Sequence, residues 1–240
     1  MEWRNYYLDL LLVPSGILIM FGYHAWLWHT VRTRPLATIM GINSSGRCNW
    51  VASIMRDNEQ KNILAVQTLR NTIMGSTLMA TTSILLCSGI AAILSSTYSI
   101  KKPINVVVYG SHGDFMMCLK YVMLLLVFLF SFLCHSLSIR FTNQVNFLIN
   151  TRTSDNQQLF CVITPDYVSE ILEKGVILNT AGNRLFYIAL PLLLWIFGPV
   201  LVFFCCIAVV LVLYNIDMMK VSTAGSAIGN NSKADGINCC

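Results

Sequence analysis

Hydrophobic residues are concentrated in long stretches of this chain, and the charged residues fall between them. A helix rises about 1.5 Å per residue, so about 20 residues cross the roughly 30 Å hydrocarbon core of a bilayer. Four stretches of about that length or more contain no Asp, Glu, Lys or Arg: residues 10–28, 72–97, 121–139 and 185–214. The pattern predicts an all-α membrane protein with four transmembrane helices, at about residues 8–28, 72–97, 117–139 and 185–214.

The two long loops of this arrangement have helical character of their own. After an irregular stretch from Thr33 to Arg47, apolar residues at helical spacing between Asn49 and Arg70 predict a helix that runs into the second span. Residues from Arg140 to Asn150 continue the third span beyond the membrane. Thr164 followed by a proline and an acid predicts the start of a short amphipathic helix, and Gly175 predicts its end.

Prolines and glycines mark breaks within the spans. The fourth stretch is thirty residues, about 45 Å as one helix, and therefore longer than the bilayer. We expect a single broken helix there, divided at Gly198 and Pro199, and a loosened first span at Pro14. Residues 1–220 then form one four-span membrane domain. Residues 221–240, rich in Gly, Ser, Ala and Asn, are predicted to be a disordered tail.

Composition agrees with a chain immersed in lipid. The residues are 55% hydrophobic and 11% charged, whereas soluble domains carry about 25% charged residues. The net charge of +5 is spread through every loop, which argues against a nucleic-acid partner. The nine cysteines show no disulfide or zinc spacing, and neither a metal nor a cofactor is predicted. The lipid bilayer is the predicted partner.

The distribution of cations predicts an orientation. With four spans, ten Lys and Arg residues lie on the face of the two long loops and six on the face of the termini. The positive-inside rule then places the long loops in the cytoplasm and both termini outside. The glycosylation sequons at Asn43 and Asn230 lie on opposite faces, so at most one can be used. The pattern leaves open whether this is the plasma membrane or an endomembrane, and whether the chain is a homo-oligomer.

The second and third spans carry distinct polar patterns. In the third span, Ser131, His135 and Ser138 follow at i, i+4 and i+7 and form one polar stripe. An ionisable group at this depth normally faces the bundle interior, either as a proton relay or ligand site or as a neutral group bonded to a neighbouring helix. In the second span, small residues at helical spacing predict a face for close helix packing: Thr72, Ser76, Ala80, Ser83, Cys87 and Ala91.

Other polar residues complete a candidate pathway for a solute or ion. His24 lies at the end of the first span, and its distance of five residues from His29 argues against a shared metal site. Three arginines lie at the predicted cytosolic span ends, where they could gather an anion. The hypothetical pathway residues are His24, His135, Ser131, Ser138, Arg70, Arg140 and Arg184.

Several short motifs along the chain resemble a plant multi-pass membrane family catalogued as domain of unknown function 599. They include Tyr23-His24-Ala25-Trp26, Gly46-Arg47, Gln67-Thr68-Leu69-Arg70-Asn71, Gly182-Asn183-Arg184, Trp195, Phe197-Gly198-Pro199 and Leu213-Tyr214 with Asp217. The resemblance covers roughly residues 1–220. It implies a multi-pass membrane protein and transfers no activity, ligand or catalytic residue.

Two functions from different classes fit these patterns. The first is a solute or ion pathway through the bundle, and the alternative is a non-catalytic membrane scaffold with protein partners on its cytoplasmic loops. No base stands at recognisable spacing from a Ser or Cys nucleophile, so we do not expect an enzyme. A deep polar cavity would favour the pathway, and a sealed bundle the scaffold.

Overall fold

The fold of this chain is all-helical where a computed structural model describes it, over residues 2–56, 59–99, 114–151 and 164–218. A short 3-10 helix covers Pro35–Ala37. In place of strands, these ranges contain one isolated antiparallel bridge between Thr38 and Met218. The α-helices are α1 (Glu2–Thr33), α2 (Ile39–Arg56), α3 (Glu59–Ser99), α4 (Asp114–Thr151), α5 (Pro165–Leu194) and α6 (Pro199–Asp217).

Within the described residues, five helices are long and apolar enough to cross a membrane, by length and composition, so the expectation of four spans is corrected to five candidates. The predicted first, second and third spans correspond to α1, α3 and α4. The predicted fourth span is wrong as a single broken helix, because its residues belong to two helices. The candidate spans are Leu11–Thr33, Ile63–Ser96, Met116–Asn150, Pro165–Leu194 and Pro199–Asp217.

The chain reverses direction between α5 and α6. Helix α5 ends at Leu194, a turn follows, and Pro199 is the first residue of α6. Pro199 suits that position because a proline at the start of a helix loses no intrahelical hydrogen bond. The later half of α5 runs antiparallel to α6, since Arg184 on α5 reaches Asp217 at the far end of α6.

Helix α5 takes its first twenty residues from a region in which only a short helix, from Thr164 to Gly175, was predicted. Thr164 does cap the helix, as predicted, with its hydroxyl accepting a hydrogen bond from the backbone N–H of Tyr167 at 3.2 Å. The predicted end at Gly175 is wrong. Gly175 is buried against Phe141 and Thr142 of α4, and the helix continues through it for nineteen more residues.

The two larger of three buried hydrophobic clusters in the described residues lie at different positions along the molecule. The larger cluster holds α1, α3, α4, α5 and α6 together around Leu124, Phe128 and Val202. The second cluster joins α2 to the first part of α3, the last part of α4 and the first part of α5. We call this second region the cap; its buried residues are Val51, Ile54, Met55, Ala65, Leu69, Val145, Ile149, Val168, Ile171 and Leu172.

The helices of the cap confirm some of the predictions from the sequence and correct others. The helical extension of the third span is present as the end of α4. That of the second span is present only from Glu59, as the start of α3, because the predicted helical residues from Asn49 to Arg56 belong to the separate helix α2. The stretch from Thr33 to Arg47 was expected to be irregular, but α2 already begins at Ile39. Packing of Val51 and Ile54 and a bidentate ion pair between Arg47 and Glu173 of α5 fix this glycine- and serine-rich helix.

Helix α4 lies between α3 and α5 and packs against both. On α3, Ser76, Ala80, Ser83 and Cys87 of the small-residue face are buried, which confirms the predicted packing face, although Thr72 and Ala91 at its ends are exposed. Small side chains let the two backbones approach closely.

The outward faces of the five long helices are apolar. Large hydrophobic side chains stand exposed on each of them, an arrangement that suits contact with lipid rather than with water. Examples are Leu18, Phe21, Leu78, Leu85, Phe130, Leu190, Phe204 and Leu211. Pro14 lies inside α1, whose helix is continuous through it. Residues 101–113, between the predicted second and third spans, and the predicted tail at 221–240 lie outside the described residues.

Candidate functional site

The polar stripe of α4 faces α5 and is bonded to it. Ser131 donates a hydrogen bond to the backbone carbonyl of Gly182 at 3.0 Å, and Ser138 donates one to the carbonyl of Gly175 at 2.7 Å. Both serines are buried. Ser83 on α3 donates to Ser131 at 3.3 Å, so the contact extends over three helices.

His135 lies between these serines and is 0% exposed. Its Nδ1 is 3.1 Å from Oδ1 of Asn179, which also accepts a hydrogen bond from Ser76 at 3.0 Å. Because an amide oxygen only accepts, Nδ1 carries the proton in this arrangement. Nε2 is then an acceptor, and it is buried without a hydrogen-bond partner among the described residues.

Glycines on α5 make room for this contact. A Cβ atom at Gly182 would stand 2.7 Å from Nε2 of His135, closer than side-chain atoms tolerate. A Cβ at Gly175 would stand 3.3 Å from the Thr142 hydroxyl. The imidazole therefore packs directly on the α5 backbone. We call this contact the polar seam: Ser76, Ser83, Ser131, His135, Ser138, Gly175, Asn179 and Gly182.

A second polar group joins α1, α5 and α6. Arg184 forms an ion pair with Asp217, and the Tyr23 hydroxyl donates a hydrogen bond to the same carboxylate. The side chains of Arg184 and Asp217 are only 13% and 5% exposed. We call these three residues the charge network. It is neutral as a whole, because the carboxylate balances the guanidinium.

Arg184 lies deep within its helix. Its Cα is ten residues before Leu194, about 15 Å from the turn. An ionised group so placed needs a partner of opposite charge, and Asp217 supplies it. Nη1 of Arg184 is buried without a hydrogen-bond partner among the described residues and could donate to one more acceptor. The geometry is that of a clamp between three helices.

The remaining predicted site residues lie elsewhere. Nδ1 of His24 is bonded to the Met20 carbonyl at 2.8 Å within α1, and its Nε2 is buried without a partner in the described part of the chain. Arg70 and Arg140 are exposed on the outer surfaces of α3 and α4. The structure thus brings His135, Ser131 and Ser138 together and places Arg184 in a separate network.

The described ranges contain no group of three or more His, Cys, Asp or Glu side chains that could hold a metal ion. Gly198 and Pro199, the predicted break, form the turn into α6. Their role in the fold is to reverse the chain.

Sequence reasoning gave no role to Asp217, Tyr23 or Asn179. A signal for the first was present: Arg184 and Asp217 are the only charged residues between Lys174 and Lys220. Two opposite charges in an otherwise apolar region of this length must either lie outside the membrane or form an ion pair with each other. Asn179 carried no comparable signal, because its importance comes from standing opposite His135.

Comparisons with known proteins identify a family. A family model described as "Protein of unknown function, DUF599" matches residues 11–222, which confirms the family resemblance noted from the motifs. Neither a curated protein nor a solved structure matches the chain.

Gly182→Ala should destabilise the polar seam. The added methyl group meets the His135 ring, so the contact must open, and we expect a loss of about 1–3 kcal/mol in the free energy of unfolding. Thermal unfolding of the purified protein in detergent measures it. Gly89→Ala is the control, because a Cβ there meets nothing within 4 Å. Equal melting temperatures for the two variants would contradict the close packing.

Asp217→Asn should destabilise the bundle by about 3–5 kcal/mol, because it leaves the Arg184 charge buried without its carboxylate. Adding Arg184→Met to that variant should recover part of the loss. The same unfolding measurement applies. Glu170→Gln is the matched control: it breaks the exposed pair between Glu170 and Lys174, worth at most about 0.5 kcal/mol. If the double variant is no more stable than Asp217→Asn alone, the pairing of Arg184 with Asp217 does not contribute to the free energy of unfolding.

Proposed function

We propose that this chain, which belongs to the family described as protein of unknown function DUF599, is a multi-pass integral membrane protein with five spans. The support is the length and apolar surface of five helices. In this arrangement the cap stands on one side of the bilayer and the N-terminus on the other. The segment after Asp217 emerges on the side of the cap. The plant origin inferred from the motifs stays a prediction.

The five-span arrangement sharpens the charge asymmetry expected from four. Arg184 lies within a span, and four cations lie on the N-terminal side: Arg4, Lys101, Lys102 and Lys120. Eleven lie on the cap side: Arg32, Arg34, Arg47, Arg56, Lys61, Arg70, Arg140, Arg152, Lys174, Lys220 and Lys233. By the positive-inside rule the cap is cytosolic.

We infer that the protein acts without catalysis, as a membrane scaffold whose cytosolic cap binds protein partners. The observation that carries this proposal is the closed polar seam. The hydroxyls of Ser131 and Ser138, which a pathway would direct toward a solute, are bonded to backbone carbonyls of α5. His135 packs on Gly182 with no exposed surface. These groups hold helices together.

Exposed apolar side chains on the cap supply the partner surface in this proposal. Phe147 is 66% exposed on a part of α4 that is otherwise rich in Asn and Gln. Ile63 and Leu64 are similarly exposed on α3, on the cytosolic side of Arg70. Large apolar side chains in a polar, water-facing region are typical of protein interaction sites.

A solute or ion pathway remains the second candidate, and one observation favours it. Nε2 of His135 and Nη1 of Arg184 are buried polar atoms without a hydrogen-bond partner among the described residues. Such atoms could contact a transported proton or anion if the seam opened. In this proposal His24, His135, Ser131 and Ser138 line the path, Arg70 and Arg140 gather the solute at its cytosolic end, and Arg184 lies deeper within the bundle.

The five-span orientation predicts that neither sequon is glycosylated. Asn43 on α2 and Asn230 beyond α6 both stand on the cytosolic side, where the glycosylation machinery does not act. A glycosidase shift assay on the protein expressed in a eukaryotic cell tests this. A sequon added before Trp3 is the positive control and should be glycosylated. Glycosylation at Asn230 alone would restore the four-span arrangement.

The scaffold and the pathway give opposite results for one pair of measurements. With a photo-crosslinking residue at Phe147 in cells, the scaffold predicts a discrete protein adduct, and the same residue at the lipid-facing Leu85 should give none. In liposomes under a pH gradient, the scaffold predicts proton flux equal to that of empty vesicles.

The pathway predicts flux above that background, lost in His135→Leu and kept in Ser88→Ala, whose hydroxyl bonds only within α3. Flux that depends on His135 would overturn the scaffold. If the crosslinking residue at Phe147 forms adducts with lipid alone, Phe147 is not part of a protein-binding surface.

A further inference from the structure

Arg70 and Arg140 lie at the same depth on neighbouring antiparallel helices. The polar seam sets the register, because Ser76 and His135 both bond to Asn179. Arg70 is six residues from Ser76 and Arg140 is five residues from His135, both toward the cap. The two Cα atoms therefore stand about 9 and 8 Å beyond the seam along their helices.

Both arginines end an uncharged stretch. Arg70 precedes residues 72–97 and Arg140 follows residues 121–139, so the two mark the cytosolic boundary of the spans. Both are exposed. Three of the cations in the described region have carboxylate partners: Arg47 pairs with Glu173, Lys174 with Glu170 and Arg184 with Asp217. Within the described ranges, Arg70 and Arg140 have no ion pair or hydrogen bond through their side chains.

Each arginine heads a strip of exposed apolar side chains that points toward the membrane interior. On α3, Met74 and Leu78 follow Arg70 at i+4 and i+8 and are 61% and 69% exposed. On α4, Leu137 and Leu133 stand at i−3 and i−7 from Arg140 and are also exposed. These spacings place each strip on one helical face with its arginine.

We propose that Arg70 and Arg140 bind the phosphate groups of anionic phospholipids in the cytosolic leaflet, with the acyl chains lying along the two apolar strips. A guanidinium binds a phosphate through parallel charge-assisted hydrogen bonds. The apolar strips below the arginines can contact the acyl chains of a phospholipid, whereas a free phosphate ion would make no contact with them. This site goes beyond the scaffold function and does not require a protein partner.

The anionic headgroup should be selected by charge. The cytosolic leaflet is rich in anionic lipids, and a cation near its surface increases binding of such lipids about fivefold. With two arginines at one depth, the protein should retain phosphatidylglycerol in preference to phosphatidylcholine by at least that factor. The preference should fall as ionic strength rises.

Native mass spectrometry of the full chain tests this site. The protein in detergent is given equal amounts of phosphatidylglycerol and phosphatidylcholine with identical acyl chains, and the bound lipids are counted. We expect a preference of about fivefold or more for phosphatidylglycerol, lost in the Arg70→Gln, Arg140→Gln double variant. Arg56→Gln is the matched control, because Arg56 is exposed on α2 away from the span boundary and should keep the preference.

Three results would overturn the site: equal retention of the two lipids by the wild-type protein, an unchanged preference in the double variant, or displacement of phosphatidylglycerol by millimolar inorganic phosphate. The last result would indicate a soluble anion in place of a lipid. The wild-type comparison stands even if the double variant fails to fold, and thermal unfolding of each variant checks that.

Discussion

The buried pairing of Arg184 with Asp217 is the interaction on which the five-helix arrangement depends. An unpaired guanidinium about 15 Å inside an apolar helix is too costly to keep. Asp217 balances that charge, and the Tyr23 hydroxyl donates a hydrogen bond to the same carboxylate. One pair of charges thereby allows residues 165–194 to form one continuous helix whose later part is apolar, fixes α6 against it and attaches α1 to both.

The polar seam complements this charge network on the other side of α5. Hydroxyl groups in an apolar environment need partners, and those of α4 find backbone carbonyls that glycine leaves accessible. Hydrogen bonds from Ser131 and Ser138 then specify both the distance and the register between α4 and α5. Hydrophobic contact alone would define neither, because lipid competes equally well for an apolar face.

Local patterns predicted what depends on local causes. Uncharged length gave α1, α3 and α4, helical spacing gave the extensions into the cap, and Thr164 gave the start of α5. The full length of α5 was missed because Arg184 suggests a loop until its partner, 33 positions later, is known. The first part of α2, before Asn49, was missed because Gly41 and Gly46 have low helix propensity. Packing of Val51 and the ion pair between Arg47 and Glu173 of α5 outweigh that propensity. Within the site, the stripe around His135 could be predicted, but Asn179 could not, since only the tertiary contact makes it important.

The two ends of the molecule differ in a way that bears on function. At the end of the bundle opposite the cap, Lys120 is buried with its ammonium 5.3 Å from the centre of the Trp195 ring, so this cation is directed into the bundle. At the cap end, Arg70 and Arg140 point outward beside exposed apolar side chains, and α2 adds a layer that no span requires. A chain that needed only to cross the membrane would gain nothing from that layer. In the proposed scaffold, the surface for recognition is therefore concentrated on the cap and its boundary with the bilayer.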